Sequence, residues 1–439
     1  MSRDLARTLG PRDLVLVVIG TVIGSGIWLV PGAVLRNTGN DPGLALVVWV
    51  VGGVFSLLGA LTFAELGALY PESGGSYAYV REAFGPLPAF LLGWTLFLAI
   101  NTGSLATLAV AFATYAGEFI SIGALAQRLV AVAMIAVVAA VNIRGTRQAA
   151  SVQNWSTAVK VGAILALAAS GILLGHEGDA SARRAFTVPI SGAVLSGAGV
   201  ALLGVLWAYE GWVNVTNSAG EARDPQRSFA RGIIIGTAAL VAIYVIANVG
   251  YLAALGPDRV AASDRVAADA VRELYGPVAA KVVGAAVLIS VFSASNGLTL
   301  TSPRTFFAMA RDGVFFSKLA EVHPRFGTPA FAVLASALWA AFLTLTGTFE
   351  QLFTYVVFAS WLFAGLAAAG VFVLRRRRPD RPRPFRVPGY PVTPALFIAA
   401  GGVVVVNTFV SRPVQALAGV GIVVVGTPAY FYWKRARRA

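Results

Sequence analysis

Three short stretches put chemically capable residues inside a largely apolar chain. The first is Gly24-Ser25-Gly26, in the middle of "VIGTVIGSGIWLVP" (Val18 to Pro31). Glycine is the poorest helix former after proline, and two of them around a serine weaken a helix where lipid offers the backbone no water. The second is Tyr209-Glu210-Gly211, a carboxylate and a glycine at the centre of "LLGVLWAYEGWVNVTN" (Leu202 to Asn217). The third is Lys160 in "VQNWSTAVKVGAILAL" (Val152 to Leu167), one of four lysines among 34 basic residues. Gln153, Thr157 and Lys160 fall at i, i+4 and i+7, a single polar stripe on a helix. A charge at the bilayer centre costs at least ~2.5–3.5 kcal/mol, so this lysine needs a partner in the protein interior.

The chemistry of an interrupted helix gives the first two stretches a purpose. Unwinding leaves unpaired N–H groups at the start of the second half and unpaired carbonyls at the end of the first. The amides attract a carboxylate and the carbonyls attract an ammonium. Two broken helices set face to face therefore form a receptor for a zwitterion, of which an α-amino acid is the commonest small example. Gly24, Ser25 and Gly26 would take the carboxylate, through backbone amides and the Ser25 hydroxyl, with Ile23 and Ile27 flanking them in the binding site. Carbonyls around Trp207, Ala208 and Tyr209 would take the ammonium, with Glu210 and Gly211 also in the binding site. Glu210 could line the vestibule, carry a proton, or pair with water and backbone in the unwound segment. Alone, Gly-Ser-Gly would indicate tight helix packing. Matched by a second break five spans later, it indicates a binding site.

The elements that must position these residues are membrane helices. The chain has 439 residues, 57% apolar and only 12% charged, with mean hydropathy +0.75. A soluble protein would carry about twice that charge fraction. Apolar runs of the ~20 residues needed to cross hydrocarbon recur twelve times. They lie at 13–35, 42–69, 87–117, 126–142, 153–175, 195–218, 231–255, 279–302, 330–347, 350–373, 391–411 and 414–433. The expected fold is an all-α polytopic membrane protein, one transporter domain over 1–439, with no connection long enough for a soluble domain. Breaks in spans one and six divide it into two inverted repeats of five helices, about 13–175 and 195–373. Two further helices follow, about 391–433. The opening MSRDLARTLGPRD lacks the features of a cleaved signal peptide.

The net charge of +14 would suggest nucleic acid in a soluble chain. Here its distribution decides. With the N-terminus in the cytoplasm, 24 basic residues lie on the inner side and nine on the outer, the positive-inside pattern. Both termini are then cytoplasmic, and the run from Arg375 to Arg386 is a topology anchor in contact with lipid, with no nucleic acid as partner. There is no cysteine, which removes disulfides and thiolate chemistry together. The two histidines, His176 and His323, fall in expected loops, so no histidine metal site is expected. No Walker loop, nucleophile elbow or HExxH occurs. Neither an enzyme nor a bound cofactor is expected.

Several longer segments share a known pattern. They are "IGSGIW" in span one, "AELGALYPESGGSYAYVREAFG" (Ala64 to Gly85), and "WAYEGW" (Trp207 to Trp212) followed by "GEARDPQRSFARGI". The last is "SNGLTLTSPRTFFAMARDGVFF" (Ser295 to Phe316). In this order the chain resembles the amino acid-polyamine-organocation superfamily, and within it the L-type amino acid transporter family, in its prokaryotic form. The resemblance implies the five-plus-five fold, alternating access, and substrate held between the two breaks, with Trp207 where the family's aromatic lid sits. It further implies that the Lys160 ammonium replaces the sodium ion of related transporters, joining span one to Ser293, Ser295 or Asn296 on span eight. Glycine is common at the site of Glu210 in animal members and acidic residues are familiar there in bacterial ones. Animal members use a cysteine to bind an accessory glycoprotein, a link this chain cannot make. Glu65, near Pro71, is expected to be architectural. The function expected is sodium-independent amino acid transport across the cytoplasmic membrane, by exchange of small or neutral substrates. The alternatives are a proton-coupled symporter, a channel and a non-transporting sensor.

Overall fold

With no water in the bilayer core, a spanning backbone must satisfy its own polar groups, and a helix does so within one segment. The computed structural model describes residues 5–117, 119, 123–346, 349–411 and 413–436. Among these the regular structure is helical, with one isolated bridge, Leu9 to Ala222, and no sheet. The first helices are α1 (Pro11–Val22), α2 (Gly26–Asn37), α3 (Pro42–Leu69), α4 (Ser76–Phe84), α5 (Pro86–Thr95) and α6 (Asn101–Ala116). Next come α7 (Ala124–Arg144), α8 (Thr146–Leu174), α9 (Gly178–Arg184), α10 (Gly192–Ala208), α11 (Pro225–Ala262) and α12 (Val266–Tyr275). The last are α13 (Pro277–Thr301), α14 (Pro303–Arg311), α15 (Ala330–Thr346), α16 (Phe349–Arg377), α17 (Val392–Ser411) and α18 (Pro413–Ala436).

Ten helical runs among the described residues are long and apolar enough to cross a bilayer. The pair α1 and α2, bent by 51° at the gap between them, makes an eleventh. Helix α15 is apolar but has 17 residues, short of the usual length. This is a multi-pass membrane protein. The sequence leaves α4, α9 and α12 as loops; each is a short helix lying between spans, of ten residues or fewer.

Helix α11 packs along α3, α8 and α1 at the centre of the bundle. Its approach to α8 depends on small residues. A Cβ on Gly171 would stand 2.2 Å from the Gly250 carbonyl oxygen, so only glycine permits this backbone contact. The start of α3 is capped by Asp41, which accepts from the Leu44 amide at 2.9 Å and precedes Pro42 at the first helical position. The same carboxylate accepts from the amides of Phe186 (2.9 Å) and Val188 (3.1 Å), tying the α9–α10 connection down. Burial pushes the Asp41 carboxyl up, but the amides of Leu44, Phe186, Val188 and Gly43 outweigh it and hold it below the ordinary carboxylate value.

At the other end of α3, Glu65 is buried and accepts from Arg375 at 2.9 and 2.6 Å and from the Val387 amide at 2.7 Å. Arg375 also covers the Tyr390 ring, and Arg381 the Tyr70 ring. The arginine segment is thus folded onto the bundle, with Arg376, Arg378 and Arg386 left exposed.

Candidate functional site

The first break begins where α1 makes its last full helical bond, Ile23 N to Ile19 O at 3.0 Å. Gly24 then donates back to Val22 at 2.7 Å, and α2 restarts at Gly26. Side chains from three other helices take the carbonyls released at this point. The Lys160 ammonium on α8, fully buried, donates to Gly20 O and Ile23 O, each at 2.6 Å. The Ser290 hydroxyl on α13 lies 3.1 Å from Ile23 O and 2.9 Å from Gly24 O. The Tyr244 hydroxyl on α11 lies 3.1 Å from Ala208 O and 3.4 Å from Val22 O, so it touches both breaks. The amides at the start of α2 have no helical acceptor, as in the first turn of any helix.

The second break follows α10. Tyr209 N and Glu210 N close the last turn onto Val205 and Trp207, each at 3.0 Å. Gly211 then turns the chain with φ +118°, a left-handed conformation that favours glycine. A tight 3-10 helix continues from Trp212 to Glu221. The two breaks meet directly: a Cβ on Gly26 would stand 2.8 Å from Ala208 Cβ and 2.9 Å from Ala208 Cα. A Cβ on Gly211 would stand 3.2 Å from Thr21 O.

A cavity of about 160 Å³ opens beside this contact. Gly24, Ser25, Gly26, Trp207, Ala208, Glu210 and Gly211 line it. Ile23, Ile27 and Tyr209 do not; they stand fully buried behind the wall. The positive end of α2 and the negative end of α10 thus share one cavity, an arrangement suited to a small zwitterion.

A model of the family described as "Amino acid permease" matches residues 9–430. The chain belongs to the amino acid permease family. The permease is 34% identical to the large neutral amino acids transporter small subunit 2 of Mus musculus, over 98% of this chain and 82% of that one. It is 29% identical to the serine/threonine exchanger SteT of Bacillus subtilis, over 99% and 98%. It is 34% identical to the human cystine/glutamate transporter, over 95% and 83%.

The contact between α13 and the first break differs from the one the permease's family resemblance implies. Among the described residues the Lys160 ammonium meets only the two α1 carbonyls. The Ser295 hydroxyl returns to Val291 O at 2.9 Å. Asn296 donates to Ala149 O (3.0 Å) and Gln153 Oε1 (2.9 Å) and accepts from Asn142 (3.0 Å). Ser293 is buried with its hydroxyl unpartnered. The group that reaches the break is Ser290, one turn earlier, because the register of α13 against α1 puts that turn beside Ile23 and Gly24.

Sequence reasoning also passed over Tyr244 and the far wall of the permease's cavity. That wall contains Asn101, Ser104 and Thr107 on α6, and Ser360 and Trp361 on α16. They are polar and aromatic residues inside otherwise apolar spans, Asn101 and Ser104 within Asn101-Thr102-Gly103-Ser104, and their signal in the sequence is that polar groups at membrane depth are costly. At the second break's far end, Glu221 pairs with Arg304 at 2.6 Å, both fully buried, and Thr146 bonds both. Leu9 pairs with the same strand-like stretch through Leu9 N to Glu221 O (3.0 Å) and Arg223 N to Leu9 O (2.9 Å).

Proposed function

We propose that this permease carries small or neutral α-amino acids across the cytoplasmic membrane by alternating access, without sodium, as an exchanger. The observation that carries the proposal is the contact of Gly26 with Ala208 at the edge of one cavity. It sets the amides of Ser25, Gly26 and Ile27 to take the substrate carboxylate and the α10 end to take the ammonium. Lys160 does the work of a bound cation by holding the α1 carbonyls. In this account the bundle has twelve spans, with α15 the ninth, and two inverted five-helix repeats, α1–α8 and α10–α16. Both termini are cytoplasmic, in keeping with the charge distribution. The printed names of the relatives, transporters and an exchanger of amino acids, support the same activity. Two breaks meeting at a closed site favour a carrier over a channel.

A second activity, proton-coupled symport, is favoured by one observation. Glu210, a carboxylate at membrane depth, lines the cavity beside Ser360. Counterflow in proteoliposomes against the twenty amino acids, with choline replacing sodium and pH clamped, tests the main proposal. Saturable counterflow at full rate supports it, and steep sodium dependence contradicts it. Net uptake driven by an imposed pH gradient would favour the symporter. Binding without flux would make the protein a sensor.

A further inference from the structure

Head-group recognition at the two breaks leaves part of the cavity unused, and that part is polar. Among the described residues, Asn101 Nδ2 and Thr107 Oγ1 are buried atoms without a protein hydrogen-bond partner, the Ser360 hydroxyl lies against the Glu210 carboxylate, and all four residues line the cavity. Asn101 and Thr107 are only 4% and 7% exposed. Protein interiors leave few polar groups in this condition, and two of them beside a buried carboxylate on one cavity point to a ligand that completes them.

The backbone is built to present one of them. A π-helical turn, Leu96–Ile100, joins α5 to α6 immediately before Asn101. One extra residue in a turn rotates everything after it by about 100°, which re-aims the α6 face. The carbonyls disturbed by that turn are held by other groups: Phe97 O by the Thr102 hydroxyl and Leu98 O by the Trp339 indole at 3.0 Å. The irregular turn is thus supported from two sides.

We propose that Asn101, Thr107, Glu210 and Ser360 read the substrate side chain and select neutral amino acids bearing a hydroxyl or carboxamide over apolar ones of equal size. The inference rests on the cavity being the amino acid site. A side-chain hydroxyl or amide N–H donates to the Glu210 carboxylate, and its oxygen accepts from the Asn101 amide. A valine or methionine side chain would displace water from these groups and leave them unpaired. An acidic side chain would meet the like charge of Glu210.

The test is counterflow by the full chain in proteoliposomes, with threonine competed against valine and glutamine against methionine. Preference for threonine and glutamine by about tenfold or more supports the inference. Asn101→Leu and Ser360→Ala should each reduce the threonine-to-valine ratio to within about threefold. The ratio is read within each preparation, so a loss of total flux does not mimic the result. Valine and methionine exchanging as well as their partners would overturn the inference, as would an unchanged ratio in both variants. Absence of exchange for every amino acid, alanine included, would overturn the transport reading of the site and this inference with it.

Discussion

The two breaks are held in opposite ways. The first is fixed at the break itself: Lys160, Ser290 and Tyr244, from three different helices, occupy the carbonyls of Gly20, Val22, Ile23 and Gly24. At the second, the Tyr244 hydroxyl meets Ala208 O, and a left-handed glycine stands there next to the cavity-lining Glu210 carboxylate. Its strong anchor lies at the far end of the 3-10 helix, where Glu221 meets Arg304. The difference teaches that unwinding a membrane helix need not leave it loose. Side chains of other helices take the carbonyls of the first break, while aromatic packing of Tyr209 and Trp212 and the distant Glu221–Arg304 pair hold the second.

The largest effect should come from that distant tether. Glu221→Ala strands a fully buried arginine, and removing one partner of a buried pair costs about 3–5 kcal/mol. Thermal unfolding in detergent should show a clearly lowered midpoint. An unchanged midpoint would mean that the second break is not anchored there.

Next in size is a contrast inside the first break. Gly26→Leu forces the new side chain into the Ala208 backbone and should abolish substrate binding. Gly24→Ala meets nothing closer than 3.7 Å, at Leu108, and should bind nearly as wild type does. Radioligand binding at matched expression reads both. Wild-type binding by Gly26→Leu would place the site elsewhere.

The smallest effect should follow Ser290→Ala, which removes one hydroxyl from the first break while Lys160 stays. The loss of about 0.5–1.5 kcal/mol predicts a fall in affinity of roughly two- to tenfold. A collapse of binding would show that Ser290, rather than Lys160, is the principal tie.

How far the sequence discloses this contrast depends on whether a signal is local. Gly24-Ser25-Gly26 and Gly211 stand out because glycine in an apolar run is locally costly, and Lys160 because a charge there is. The bend of the first span is therefore legible in the sequence. Ser290 and Tyr244 are not, since lone hydroxyls occur in membrane helices without consequence and only helix register brings these two to the break. Asn101 depends on a π turn that "LFLAI" does not announce. Glu65 is readable as architectural from its place near Pro71, yet its partner Arg375 is 310 residues away. Short α4, α9 and α12 lack the long apolar runs that mark spans, and they hide among the loops.

The central claim is that the Lys160 ammonium fixes the first break and so makes exchange possible without a bound cation. Sodium-free counterflow by Lys160→Ala and Lys160→Arg, at matched membrane expression and with binding measured alongside, tests it most directly. Lys160→Ala leaves the carbonyls of Gly20 and Ile23 unpaired at roughly 1–3 kcal/mol each, and a guanidinium keeps the charge but is too broad for the space. Collapse of transport in both variants is the predicted result. Wild-type flux in Lys160→Arg would show that charge alone suffices, and wild-type flux in Lys160→Ala would contradict the account outright.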